Sequence, residues 1–165
     1  MGLSKIAMLF LVFLPIFAGC DGQSQFEHPL AGGTGTLSIN GGPPMPFIVN
    51  NVNVSLSPST STITLVTFEP QGPLTLMRSI YLIAPPNQVG VMLDLATTGS
   101  FLTEVMVDPV GQVVSTEFDS QSVAGDLVIS EINELGAKGS FNALFTDDLG
   151  NTREIVDGVF DFDLV

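Results

Sequence analysis

Apolar and polar residues alternate with a period of two over most of the chain beyond residue 36, and no stretch keeps a 3.6-residue period long enough for a structural helix. "NVNVSL" sets Val52, Val54 and Leu56 on one face and Asn51, Asn53 and Ser55 on the other. "STITLVTF" follows after the turn "SPST". "LTLMRSIYLI" aligns Leu74, Leu76, Ile80 and Leu82 with Arg78 in the same phase, and a charge in an apolar row predicts a bulge or strand end there. After the turn "APPNQVG" come "VGVMLDL", "FLTEVMVD" and "QVVSTEF", joined by "ATTGS" and "PVG". The last third offers "DLVISEI", "KGSFNALFT", "TREIV" and "VFDFDLV", separated by "NELGA", "DDLGN" and "DG". In the final segment Phe160, Phe162 and Leu164 point one way and Asp161 and Asp163 the other. Short strands with turn signals between them predict an all-β fold, a single antiparallel β-sandwich or flattened barrel of about 8–10 short strands.

The N-terminus obeys a different rule. Lys5 is followed by an uncharged apolar run from Ile6 to Phe17. As a helix this run measures roughly 18 Å, short of the ~20 residues that span a bilayer core, so it reads as the hydrophobic region of a signal peptide. Pro15 breaks the helix near its end, and "FAGC" brings small residues, Ala18 and Gly19, to the chain's only cysteine, Cys20. These residues resemble the lipobox of bacterial lipoproteins, with Phe17 in place of the commoner Leu. The resemblance implies cleavage before Cys20, a diacylglyceryl group on its sulfur, and a further, palmitate-class acyl chain on its new amino group. Two chains suffice for stable anchoring, because each buried CH₂ contributes about 0.8 kcal/mol. The implied location is the bacterial cell envelope, exported and membrane-anchored, with the outer membrane favoured over the inner. In enteric bacteria Asp21 would resemble an inner-membrane retention signal, which other bacteria do not read in the same way.

Three segments are therefore expected: a lipoprotein signal peptide over residues 1–19, a lipidated Cys20 and flexible tether over 20–36, and an antiparallel β domain over 37–165. The tether, "DGQSQFEHPLAGGTGT", shows no apolar period and would stand the domain about 20 Å from the membrane. Its His28 has no partner nearby and reads as a solvated linker side chain.

Charge narrows the partners. Beyond Lys5 the chain keeps Arg78, Lys138 and Arg153 against 17 acids, a formal charge of −14 for the processed protein. Nucleic acid and anionic headgroups are poor partners for such a surface. With one cysteine no intrachain disulfide can form, so burial of Val, Ile, Leu and Phe must supply the stability.

Catalytic chemistry finds few components. A nucleophile needs a base held by a third group, yet the cysteine is assigned to lipid and the histidine to the tether. Zinc lacks the same ligands. Glu117 and Asp119 share a strand face and could in principle serve as a glycosidase pair, but there is no Trp and a single tyrosine, Tyr81, to stack on a sugar. "TDDLGNT" offers Asp147, Asp148 and Asn151 to calcium, with Asp157 close behind, without EF-hand spacing or its bidentate Glu. It is also an ordinary turn composition. Met45, Met77, Met92 and Met106, with several Phe, could line a greasy cavity or fill a solid core.

The body of the chain carries a second resemblance. Residues 125–165 look like the C-terminal half of small bacterial envelope lipoproteins ending in a Gly-x-Phe strand, a hairpin and an Ile-x-x-Gly-x-Phe strand. Here these are Gly139, Ser140 and Phe141, then Ile155 through Phe160, with Asp157 and Gly158 between. "TLSINGGPPMPF" resembles the opening strand and Asn-Gly turn, with Phe47 after the turn, and "APPNQVGVMLDL" a Pro-containing turn and Gly-started strand. The resemblance implies a lipid-anchored antiparallel β domain and brings no established activity. Gly158 suits a turn or bulge needing positive φ, and Gly139 a strand entry where a side chain would crowd its neighbour.

The expected function is that of a non-enzymatic, membrane-anchored structural or protein-interaction module of the envelope, without cofactor, metal or nucleic acid. The alternative is a carrier or sensor of a small apolar ligand in a half-open β-barrel. An enclosed apolar volume or a filled core would distinguish them.

Overall fold

The computed structural model describes residues 32–133 and 136–163. Strands β1 (Gly32–Ile39) and β2 (Met45–Val49) flank the predicted Asn-Gly turn, in which Asn40 and Gly41 take φ of 50° and 67°. Positive φ at both positions gives a tight turn the twist that its strands require. Asn50 then turns the chain into a second sheet. Its N–H donates to the Val66 carbonyl at 2.8 Å, and its Oδ1 accepts from the Phe68 N–H at 2.8 Å.

That second sheet holds β3 (Asn51–Leu56), β4 (Ser61–Gln71) and β5 (Leu74–Ala84), followed by β7 (Phe101–Val107) and β8 (Val113–Asp119). The first sheet is completed by β6 (Met92–Asp94), β9 (Ser122–Asn133), β10 (Gly136–Thr146) and β11 (Thr152–Asp163). The strand orders are β2-β1-β11-β10-β9-β6 and β3-β4-β5-β7-β8, with every ladder between them antiparallel. The all-β sandwich is thus the fold, with eleven strands among the described residues. No helix among them is long and apolar enough to cross a membrane.

The period-two pattern determines the core. Leu37, Phe141, Phe145, Ile155 and Phe160 from the six-stranded sheet join Val52, Ile63, Leu65, Ile80, Leu82 and Leu102 from the five-stranded one in a single buried cluster. Each such side chain contributes about 1.5–3 kcal/mol on full burial. Val54 packs at the margin of this core, while Leu56, expected to face it, is exposed at the strand's end.

Several local expectations change. The tether boundary expected at residue 36 falls inside β1, which starts at Gly32. Its glycines serve packing there, since a Cβ at Gly33 would fall on the Val159 carbonyl oxygen. The "DG" of residues 157 and 158 does not separate a pair of strands but forms a bulge within a single one, β11. Positive φ belongs to Asp157, at 53°, while Gly158 makes room for Phe141, whose ring would lie 2.6 Å from a Cβ. Gly139 is needed for space as expected, although within β10, because a Cβ would collide with the Val128 carbonyl and the Phe160 ring. "VGVMLDL" yields only the three residues of β6 before a single 3-10 turn, Leu95–Thr97. There the Asp94 carboxylate accepts from the Ala96 N–H at 3.0 Å and draws the chain out of the sheet. No bulge or strand end occurs at Arg78, because carboxylates within reach let the charge stay inside.

Candidate functional site

Strand β5 runs unbroken past Arg78, in continuous register with β4. Arg78 points inward with Ile80 and Leu82, directly opposite Glu104 of β7, and both are buried. Its Nε donates to Glu104 Oε1 at 2.6 Å and its Nη1 to Glu69 Oε2 at 2.7 Å. Arg153, from β11 in the facing sheet, donates to Glu104 Oε2 through Nε at 3.0 Å and Nη2 at 2.8 Å. One carboxylate therefore ties two guanidiniums from opposite sheets. The Arg153 guanidinium also lies 4.4 Å from the centre of the Phe118 ring, in cation–π contact. A buried charge survives only when paired and hydrogen-bonded, and this arrangement satisfies both oxygens of Glu104.

The row beside this cluster is less complete. Thr67 is the cross-strand partner of Arg78, and its buried hydroxyl finds no hydrogen-bond partner. An unmet group of this kind costs about 1–3 kcal/mol.

Cys20 and His28 lie outside the described residues. Glu117 and Asp119 both stand on the solvent side of β8, where Glu117 accepts from the Ser115 hydroxyl. Asp147 is engaged within its own hairpin. Its Oδ1 accepts from the N–H groups of Leu149 at 2.9 Å and Asn151 at 2.7 Å, and its Oδ2 from the Asn151 side-chain amide at 2.7 Å. The Asn151 side chain, aided by these backbone donors and by the charge of Arg153, holds the Asp147 carboxyl below its ordinary value of 3.8 despite some desolvation. Asp157 is held in the β11 bulge instead, where its N–H donates to Asn142 Oδ1 at 2.9 Å. No group of three or more metal-ligating side chains occurs among the described residues.

The methionines do not share one interior. Met77 packs with Val66 and Val105 in a small second cluster, whereas Met45 and Met92 are exposed. On the same sheet Tyr81 stacks on Phe101 with ring centres 4.3 Å apart. Burial pushes its phenol above the usual 10.0, against a smaller opposing effect from Ser79.

Two concavities among the described residues open on the outside of the molecule. One, about 250 Å³, is bordered by Ala124, Asn142, Leu144 and Val156; another, about 280 Å³, by Val128, Lys138, Ser140 and Val159. Both are shallow and open on the outer face of the six-stranded sheet, while Phe141, Phe145, Phe160 and their aliphatic neighbours fill the space between the sheets.

Sequence reasoning noticed Arg78 but missed Glu104 and Arg153. The signal was present: in "FLTEVMV" and "TREIV" each charge stands in phase with the inward apolar residues. Three strands each carrying one such charge, two positive and one negative, point to an internal ion cluster. Fold and cluster define the chain's class as an antiparallel β-sandwich bolted between its sheets by buried charge. No known family, curated protein or solved structure matches the chain.

Proposed function

We propose that the protein is a lipid-anchored, non-enzymatic module of the bacterial cell envelope, held to the outer membrane through Cys20 and acting by contact with other envelope proteins. The observation that carries the contact reading is the filled interior. Side chains occupy the space where a carrier would hold an apolar ligand, and the depressions open on an outer sheet face. The same filled core weakens the alternative of a half-open barrel for a small apolar ligand. The lipid anchor is supported by the sequence at Phe17 to Cys20.

Intact-mass measurement on the natively produced protein tests the anchor. The expected product begins at Cys20 and carries three fatty chains, or two where the amino group stays free, and Cys20→Ser leaves the leader attached. An unmodified thiol, or a leader cut elsewhere, would remove the anchor and the envelope placement with it. Photo-crosslinking in the cell tests the contact reading, since a module of this kind gives a discrete protein adduct from at least one outer face. Adducts to lipid alone would overturn it.

A further inference from the structure

The outer face of the six-stranded sheet holds a row of four apolar residues interrupted by Thr34 and Ser140. Ile48 pairs with Thr34, Thr34 with Val159, Val159 with Ser140, Ser140 with Val128 and Val128 with Met92, crossing all six strands in register. Ile48 is 61% exposed, Val159 47% and Met92 71%. The adjoining row adds Pro46 and Val156 at exposed positions. At the strand spacing of ~4.8 Å the row is about 24 Å long. Exposed apolar residues aligned across a sheet face and rimmed by polar ones make the kind of surface a partner covers.

The surrounding charge has one sign. Asp94, Asp126 and Asp157 lie on one side of the stripe, Asp161 and Glu131 on the other, and Glu154 beyond Val156. Asp94 and Asp126 are even direct cross-strand neighbours, a placement that costs free energy in the isolated protein. Against them this face offers, among the described residues, one cation, Lys138, which is 3.6 Å from Asp161. The two arginines that could have balanced the surface are spent on Glu104 inside.

We propose that this stripe docks a cationic amphipathic segment of a partner protein, whose apolar side covers Ile48, Val159 and Met92 while its lysines and arginines meet the flanking carboxylates. The inference rests on the contact reading above and names its surface and the partner's chemistry. A helix of about sixteen residues matches the length of the row. A second copy of this chain is a poor occupant, because its own acidic flanks would face these, and anionic lipid is repelled for the same reason.

The test uses the natively produced full protein, in nanodiscs of neutral phosphatidylcholine where it carries its anchor. It is titrated with a sixteen-residue amphipathic Leu/Lys peptide and with the corresponding Leu/Glu peptide. The expected result is saturable binding of the Leu/Lys peptide alone, weakened by salt. The outward-facing double variant Ile48→Ser, Val159→Ser, checked for an unchanged circular dichroism spectrum, should lose at least tenfold in affinity. Equal binding by the variant, equal binding of both peptides, no binding, or self-association of the protein as the only event would each overturn the proposal. A failed titration beside a discrete crosslinked protein in the cell would discard this face while leaving the contact reading standing.

Discussion

Glu104 shows how much one side chain can decide in this molecule. It is 2% exposed and accepts from both Arg78 and Arg153. Neutralising it leaves Arg153 in the interior without a counter-charge and Arg78 with the half-exposed Glu69 alone, and breaking a buried pair in this way costs about 3–5 kcal/mol. Glu104→Gln should therefore lower the unfolding free energy by that amount in chemical denaturation. Glu69→Gln removes a partner of Arg78 that is 45% exposed, and should cost less than about 1 kcal/mol. Equal losses from the two variants would show that the cluster is not organised around Glu104. A second residue-scale effect belongs to Asp147. Its folded pKa is lowered, so as acidity rises the unfolded chain takes up the proton first, near the ordinary value of 3.8. The stability this group contributes is present above that value and is lost as the pH falls through the lower folded one. The amide signals of Leu149 and Asn151 should move with a midpoint below pH 3.8. Movement centred at or above that value would mean the carboxylate is not held by the turn.

At the scale of elements, β11 carries the most information. It pairs with β1 on one side and β10 on the other, and both ladders slip where residues 157 and 158 insert. The strand thereby keeps Ile155 and Phe160 in the core, with a spacing of five residues that a regular period of two would forbid. The alternation of "VFDFD" and "TREIV" was readable in the sequence, and so was a backbone irregularity at "DG". What could not be read was continuity: a local pattern does not tell a bulge from a turn when only the two flanking strands decide it. The glycines of β1 misled in the same way, since "GGTG" has the composition of a linker and only the approach of Val159 shows why side chains are excluded. Two substitutions separate space from conformation in the bulge. Asp157→Gly relieves a left-handed residue and should stabilise by about 0.5–1 kcal/mol. Gly158→Val drives a branched side chain into the Phe141 ring and should cost about 1–3 kcal/mol, with more than that if the bulge is displaced. Thermal unfolding of the two variants gives opposite shifts in Tm if this division is right.

Across the whole molecule, charge is sorted by depth. The acidic excess of the sequence was plain, and its consequence for nucleic acid followed directly, but where the few cations lie could not be seen from composition. Two of the four, Arg78 and Arg153, are internal, and Lys138 is the one cation outside the buried cluster among the described residues. The shell is therefore more uniformly negative than the sequence total implies, with neighbours such as Asp94 and Asp126 in direct opposition. Repulsion within such a shell acts through solvent, whereas the attraction inside the Arg–Glu–Arg cluster is shielded from ions by the packed sheets. Raising ionic strength shortens the screening length from about 30 Å at 0.01 M to about 3 Å at 1 M, and should weaken the first far more than the second. Tm should accordingly climb with sodium chloride over this range, and Glu104→Gln, although less stable, should climb in parallel. A Tm that fell with salt in the parent protein and not in Glu104→Gln would mean that the internal cluster is open to solvent. At high salt the two sheets would then be held together chiefly by apolar packing.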